Sequence, residues 1–292
     1  MPSCWKFKRG LAIAAVCAAV FGVMPGATVP AFAKAPHGLC MNYGHDAYKH
    51  DLSPQGVVAQ DLRRLELSGI NCLRIVYNGF NDAQAEALAR FAKERGFYVI
   101  SGGEWGVLDP AHLADYQAQV LRQARWAQAN GMPQFSVGNE QEDRLSGLSE
   151  SQWAQAVVAL AARVHEVYSG TVSYETPRNR ADAWAKVDLG SLDLLGLNMY
   201  DGYDLDRRAL AENIAAHGAG HVYVSETNCG FFSAAPCLPD ANLAAEMKGD
   251  LLRLIGEYPR TAFYIYTWRA KGHDAVFSIV DYPKTLAVLG IE

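Results

Sequence analysis

The stretch QFSVGNEQE, residues 134–142, determines how the rest of the chain is read. Gln134 to Val137 has the length and composition of a buried strand, and the apolar run stops at Asn139-Glu140. A second apolar run, HVYVSETN at 221–228, places Glu226 at a matching point. Glu140 and Glu226 are therefore each predicted to lie where a buried strand opens into a loop.

Outward from this stretch, short apolar runs alternate with segments of helical periodicity. The predicted strands are 38–43, 72–77, 97–101, 134–137, 171–174, 192–198, 221–228 and 262–268. Eight strand-helix units predict an α/β chain folded as a single-domain (β/α)8 TIM barrel, because parallel strands need helical crossovers and are buried on both faces. An open doubly wound sheet usually has a glycine-rich phosphate loop after its first strand, and the sequence has none there.

Residues 1–33 have the pattern of a secretory signal peptide. Lys6, Lys8 and Arg9 precede an apolar stretch at 11–23, and Ala31-Phe32-Ala33 is a small-x-small cleavage site. The alternative is an uncleaved N-terminal anchor. Cleavage predicts a secreted or periplasmic catalytic domain spanning 34–292, with no stable membrane insertion, and we expect a monomer.

The net charge narrows the possible binding partners. Removing the signal changes the net charge from −5 to −8. A mildly acidic domain is a poor candidate for binding nucleic acid, because contact with the phosphate backbone needs clustered Lys and Arg.

Four cysteines remain after removal of the signal, and Cys229 with Cys237 is the predicted disulfide. Cys40 and Cys72 lie in two runs that neighbour each other in the predicted sheet, where either a disulfide or two buried thiols fits the sequence.

The barrel fold brings the carboxyl ends of all eight strands to one face, where the active site of such barrels lies. Aromatic, amide and carboxylate side chains dominate there, a combination that binds sugars by stacking and hydrogen bonding. The predicted substrate-binding residues are Asn42, Tyr43, Arg74, Trp105, Asn139, Glu175, Asn198, Tyr200 and Trp268. Glu140 and Glu226 are the predicted catalytic pair, because glycoside hydrolysis uses two carboxyl groups around one sugar.

These positions together resemble the retaining glycoside hydrolases of clan A, which include the family 5 cellulases and mannanases. The resemblance spans the chain after residue 33 but is carried by few residues: Asn139-Glu140 on the fourth unit, Glu226 on the seventh, Arg74 on the second and Trp268 on the eighth. Family 5 itself has histidine two residues before the tyrosine that follows strand six, and here Asn198 precedes Tyr200 in that way. The resemblance is therefore to the clan, and to a divergent family within it.

The resemblance implies a role for each residue. Glu140 would be the general acid/base and Glu226 the nucleophile, with Arg74 beside it. Asn139 would bind the sugar hydroxyl next to the anomeric carbon, Tyr200 would orient Glu226, and Trp268 would form the floor of a subsite. The implied substrate is a β-linked polysaccharide or oligosaccharide (β-glucan, mannan or bacterial exopolysaccharide) cut with retention, by endo action, without metal or cofactor.

Other interpretations compete with this one. Glu104, Glu142 and Glu175 are rival carboxylates, of which Glu142 is expected to face solvent or a neighbouring loop. The cluster His45, Asp46, His50 and Asp51 would serve a metal-dependent barrel hydrolase, although two loop histidines are weak evidence for a metal site. A barrel that binds carbohydrate without cleaving it is the third possibility.

Overall fold

The alternation of apolar and helical segments folds into a closed barrel of eight parallel strands in sequence order, with β1 hydrogen-bonded to β8. The computed structural model describes residues 37–44, 51–75, 82–103, 113–144, 148–228, 241–269 and 278–291. The strands are β1 (Gly38–Asn42), β2 (Cys72–Arg74), β3 (Tyr98–Gly102), β4 (Gln134–Asn139), β5 (Thr171–Pro177), β6 (Leu194–Met199), β7 (Val222–Thr227) and β8 (Ala262–Ile265).

Helices follow the strands and cover the outside of the barrel. They are α1 (Val57–Leu67), α2 (Asp82–Glu94), α3 (Leu113–Ala129), α4 (Glu150–His165), α5 (Ala181–Trp184), α6 (Tyr203–His217), α7 (Ala241–Glu257) and α8 (Pro283–Leu289). The predicted (β/α)8 barrel is confirmed. None of the described helices has the length and apolar character needed to span a membrane.

Local signals in the sequence account for several boundaries. Ser149 caps α4 through a complete capping box, in which Gln152 N–H donates to the Ser149 hydroxyl and the Gln152 side chain accepts from Ser149 N–H. Pro283 is the first residue of α8 and Gly290, with φ of 77°, follows its end, as the sequence predicts. β5 runs three residues beyond its predicted end, because its polar residues continue the strand where an apolar run would stop.

The two faces of the sheet carry different chemistry. Outward-facing residues such as Leu73, Val99 and Phe263 pack under the helices in the main hydrophobic core. Inside the barrel, the end near the strand amino termini is filled by aromatic and apolar side chains, among them Tyr98 and Tyr264. The other end of the interior is polar, and that change in chemistry locates the candidate site.

Cys40 of β1 and Cys72 of β2 form a disulfide inside the barrel, with a Cα–Cα distance of 5.0 Å. The sequence left a disulfide and two thiols equally open, and the structure has the disulfide. Cys229 and Cys237 lie outside the described residues, as does the predicted signal segment, so both remain predictions. The bridge joins neighbouring strands, one of which ends in Arg74.

We expect the Cys40–Cys72 bridge to stabilise the fold substantially. It closes a loop with a sequence separation of 32 residues, and constraining such a loop in the unfolded chain contributes about 3–4 kcal/mol. Guanidinium unfolding with and without reductant should therefore give free energies of unfolding that differ by this amount. The Cys40→Ser/Cys72→Ser variant is the control, and a wild type as insensitive to reductant as this variant would contradict the expectation.

Asp206 is a buried carboxylate in the first turn of α6. Burial raises the pKa of Asp206 to about 7. A carboxyl group whose pKa is higher in the folded than in the unfolded state favours folding while it is protonated, so its contribution is lost as the pH rises through about 7. We expect Asp206→Asn to flatten the fall in stability between about pH 4 and 7. Thermal unfolding across this range would test it, and an unchanged pH profile would contradict it.

Candidate active site

Three register shifts occur at the carboxyl ends of the strands. They lie between Ser136 and Asn139 where β4 pairs with β5, between Leu197 and Asn198 where β6 pairs with β7, and between Val224 and Thr227 where β7 pairs with β8. An extra residue in a strand changes the face on which the following side chains emerge. Asn139 and Glu226 therefore face the barrel axis, although strict alternation from the strand interiors would turn them away.

Arg74 is the centre of the polar layer and is almost completely buried. Its Nη1 donates to Glu226 Oε1 at 2.6 Å and to Asn42 Oδ1 at 2.9 Å. Its Nη2 donates to Asn139 Oδ1 at 2.8 Å and lies 3.5 Å from Glu175 Oε2. Burial alone would lower the pKa of Arg74, but the carboxylates of Glu175 and Glu226 outweigh it and raise the pKa. The guanidinium therefore stays charged between two carboxylates.

Glu226 receives a strong hydrogen bond on each oxygen. Besides Arg74 on Oε1, the Tyr200 hydroxyl donates to Oε2 at 2.6 Å. Burial and the neighbouring Glu226 carboxylate raise the pKa of Tyr200 well above its usual value, so the phenol keeps its proton and remains a donor. The two donors thus orient the Glu226 carboxyl group, and 7% of the surface of this residue is exposed.

The guanidinium also fixes the orientation of two amides. Arg74 can only donate, so the atom of Asn139 that faces it is the oxygen. The same oxygen accepts from Asn198 Nδ2 at 3.1 Å, and that nitrogen also donates to Glu140 Oε1 at 2.7 Å. Asn198 Oδ1 in turn accepts from the Ser225 hydroxyl at 2.6 Å. With its oxygen occupied twice, Asn139 has its Nδ2 left to donate to a ligand.

Glu140 and Glu226 therefore belong to one continuous chain of hydrogen bonds, through Arg74, Asn139 and Asn198. Glu140 is partly exposed and accepts an amide hydrogen from Asn198, whereas Glu226 is nearly buried between a cation and a phenol. The two carboxyl groups thus have different surroundings. Such a pair suits one group to exchange a proton and the other to act as an anion.

Two predicted substrate-binding residues instead support Arg74. Glu175 is fully buried, and it accepts hydrogen bonds from the Ser136, Ser173 and Tyr223 hydroxyls. Gly196 leaves room for it, because a Cβ there would lie 2.8 Å from Glu175 Cγ. Asn42 lies between Arg74 and the carbonyl of Ser225, to which its Nδ2 donates at 2.8 Å. Both residues underlie the site rather than line it.

The structure does not bring Trp268 and Tyr43, two further predicted substrate-binding residues, into the polar layer around Arg74. Trp268 is fully buried and its ring lies 5.4 Å from the guanidinium of Arg64 on α1. The Tyr43 hydroxyl donates to Asp61 of α1 at 2.7 Å. Both side chains turn towards the helical layer, an orientation that position in sequence does not reveal once a strand has ended.

Glu142, predicted to face solvent or a neighbouring loop, is instead 7% exposed and accepts hydrogen bonds from three donors on β5 and α5. Tyr266 is a neighbour of the site that the sequence did not indicate. It is buried after β8 and contributes to the raised pKa of Tyr200, after burial and Glu226. The sequence did offer a clue to Tyr266, because this aromatic residue lies two positions before Trp268 on the same predicted strand.

The remaining candidates fall outside the described residues. These are Trp105 and Glu104 after β3, and His45, Asp46 and His50 after β1. Asp51 is described, and its exposed carboxylate accepts from the backbone and hydroxyl of Ser53. Within the parts of the chain that the structure describes, no group of three or more His, Cys, Asp or Glu side chains is arranged to hold a metal ion.

No model of a known protein family matches the sequence, and no curated protein matches it significantly. The fold, by contrast, matches solved structures. A GH113 β-mannanase from Alicyclobacillus acidocaldarius is 15% identical with a TM-score of 0.63, over 87% of this chain and 95% of that one. The cellulase Cel5C_n is 13% identical with a TM-score of 0.64, over 89% and 87%.

A β-glucuronidase from Ruminococcus gnavus is 15% identical with a TM-score of 0.58, over 87% of this chain and 48% of that one. At these identities the similarity concerns the fold and not the substrate. The chain therefore has the (β/α)8 barrel that these glycosidases have, as the resemblance seen in its sequence implied.

Proposed function

We propose that this protein is a retaining glycoside hydrolase that cleaves β-glycosidic bonds by double displacement. The observation that carries the proposal is the network joining Glu226, held between Arg74 and Tyr200, to the partly exposed Glu140. Two carboxyl groups in unequal surroundings at one end of a barrel match the requirements of this chemistry. The mannanase and cellulase with the same fold add support at the level of reaction class.

In the first step, a Glu226 oxygen bonds to the anomeric carbon while the bond from that carbon to the leaving oxygen breaks. Glu140 gives its proton to that oxygen. In the second step, Glu140 takes a proton from water as the water oxygen attacks the anomeric carbon, and the bond to Glu226 breaks. Both carboxyl groups return to their starting states, and neither step uses a metal or an organic cofactor.

Asn139 supplies the contact that favours the transition state. Its oxygen is held by Arg74 and Asn198, so its Nδ2 donates to the sugar hydroxyl beside the anomeric carbon. That hydrogen bond strengthens as positive charge develops on the sugar ring. The preorganised amide costs no reorganisation during the reaction.

The proposed substrate is a β-linked polysaccharide, namely a β-glucan, a mannan or a bacterial exopolysaccharide, attacked within the chain. The protein acts as a secreted or periplasmic monomer after cleavage behind Ala33. Intact-mass measurement of the protein recovered outside the cytoplasm would test the cleavage site, and light scattering would test the monomer. A mass that retains residues 1–33 would contradict processing.

A panel of soluble β-linked polysaccharides, followed by proton NMR of the first product, tests the proposed reaction. Retention predicts a β-anomer first, with the α-anomer appearing by mutarotation, and Glu140→Gln should abolish product formation. A chelator should leave the rate unchanged, because the proposed steps involve no metal. Initial α-product, or loss of activity in chelator, would contradict the mechanism; binding without cleavage across the panel would indicate a carbohydrate-binding barrel.

A further inference from the structure

The backbone of Glu140 has φ of 51°, and Glu140 is the one residue other than glycine with positive φ in the described parts of the chain. A residue other than glycine adopts this left-handed conformation at a cost in free energy, so the conformation persists only where its surroundings impose it. The residues that follow Glu140 show what imposes it. Gln141 and Glu142 are both buried, in a short 3-10 helix (Gln141–Arg144) that follows β4.

Glu142 is bound by three donors on the outer side of the barrel. The Tyr174 hydroxyl donates to its Oε2 at 2.5 Å, while the Thr176 hydroxyl and the Trp184 indole N–H donate to its Oε1, each at 2.8 Å. Tyr174 and Thr176 are the outward-facing residues on either side of Glu175 in β5. The carboxylate is thus clamped between β5 and α5.

The Tyr174 hydroxyl extends this clamp to the backbone next to Glu140. It accepts from Gln141 N–H at 3.0 Å and from the Trp153 indole N–H at 3.1 Å, so its own proton is directed to Glu142. On the inner side, Glu140 N–H donates to the carbonyl of Glu175 at 2.9 Å. Three successive residues, 140 to 142, are therefore tied to β5.

Stability alone does not explain a buried polar network beneath the helices, because apolar side chains filling the same space would give an equal or higher free energy of unfolding. We propose that Glu142 is a positioning residue, which holds the Glu140 backbone in its left-handed conformation and so aims the Glu140 carboxyl group at the substrate. This inference rests on the proposed function of Glu140 as acid/base. The network holds the peptide from its outer side, while the Glu140 side chain accepts a hydrogen bond from Asn198 on the inner side.

The variant Glu142→Gln tests the proposal. It keeps the volume of the side chain but presents an NH2 group where donors already converge, which breaks the clamp. Misplacing a catalytic group by about 1 Å costs on the order of 10²-fold, and we expect a loss of this size in kcat/KM for the polysaccharide. Tyr174→Phe, which removes the hydroxyl serving Gln141 but keeps the ring, should lose activity in the same direction.

The leaving group separates positioning from general damage. A 2,4-dinitrophenyl β-glycoside of the sugar identified by the polysaccharide panel needs no proton from Glu140, so its kcat/KM should fall less than about threefold in Glu142→Gln. Azide should raise kcat of the variant on this substrate, because it replaces water in the step that needs the base. Equal losses on both substrates would overturn the proposal.

Asp61→Asn is the matched control. Asp61 is another buried carboxylate, 2% exposed, bound by Tyr43 and Arg269 at the β1 and β8 side of the barrel. Asp61→Asn should change kcat/KM for the polysaccharide and for the dinitrophenyl glycoside by a similar factor. A crystal structure of Glu142→Gln gives a readout independent of activity: φ of Glu140 near 51° and Asn198 still 2.7 Å from Glu140 would refute the positioning role even if no substrate were found.

Discussion

Replacing Glu226 by glutamine is expected to reduce polysaccharide turnover by at least about 10⁴-fold, because the amide cannot form the glycosyl intermediate. The fold should survive. The glutamine oxygen still accepts from Arg74, and the Tyr200 hydroxyl can rotate to accept from the new NH2 group. Initial rates and thermal unfolding of the same preparation would check both halves of this expectation.

Azide distinguishes loss of the nucleophile from loss of the acid/base. In Glu226→Ala, azide occupies the space left by the carboxylate and attacks the anomeric carbon of a dinitrophenyl β-glycoside from that side, which yields an α-glycosyl azide. In Glu140→Ala the glycosyl intermediate still forms on Glu226, and azide then yields the β-glycosyl azide. The same anomer from both variants would contradict the assignment of the two glutamates.

The exposed Glu257 provides the control for these substitutions. It pairs with Arg207 at 2.6 Å on the outer surface, where α6 meets α7. Glu257→Gln should leave turnover unchanged, and an exposed pair of this kind, screened by water, contributes little to stability. A large loss of turnover in Glu257→Gln would show that the assay responds to carboxylate removal in general.

Replacing Arg74 by methionine is expected to cost about 3–5 kcal/mol of stability, because it leaves the buried carboxylates of Glu175 and Glu226 without their cation. Methionine approximates the arginine stem in volume, so the loss reports charge and hydrogen bonding more than packing. Guanidinium unfolding at neutral pH measures it. Turnover should fall as well, since Asn139 and Glu226 both lose the donor that orients them.

The double variant Arg74→Met/Glu175→Gln tests the reason for this loss. Removing the charge of Glu175 relieves part of the penalty created by removing Arg74, so the two free-energy changes should not add. Arg207→Met on the surface is the control, and it should leave the free energy of unfolding nearly unchanged. Additive effects of Arg74→Met and Glu175→Gln would show that the two groups do not stabilise each other.

The barrel could be predicted from the sequence because its signals are periodic and local. Short apolar runs, capping at Ser149 and the proline at the start of α8 each act over a few residues, and the handed crossover of parallel strands leaves few ways to connect eight such units. The placement of Asn139-Glu140 and Glu226 at strand ends followed from the same signals. Arg74 and Tyr200 were named as their neighbours through the resemblance.

The sequence could not distinguish the residues that line the site from those beneath it or behind it. Glu175 was predicted at the end of β5 but lies within the strand, beneath the site. Trp268 and Tyr43 turn towards the helices. Tyr43 and Trp268 follow the last residues of their strands, where alternation no longer predicts the direction of a side chain. Register shifts decide the orientations of Asn139 and Glu226, and a shift depends on pairing with the neighbouring strand, which a single strand's sequence does not contain. The burial of Glu142 could not be predicted from its own stretch of sequence, because its three hydrogen-bond donors come from β5 and α5.

Strand β5 supplies neither of the proposed catalytic side chains, yet its two faces serve both of them. Glu175 points inward to the guanidinium that orients Glu226, while Tyr174 and Thr176 point outward to the loop that carries Glu140. Inserting or deleting a single residue in β5 would exchange these faces and disable both halves of the site together. Designed changes in substrate range should therefore leave the length of this strand intact and be confined to the loops around it.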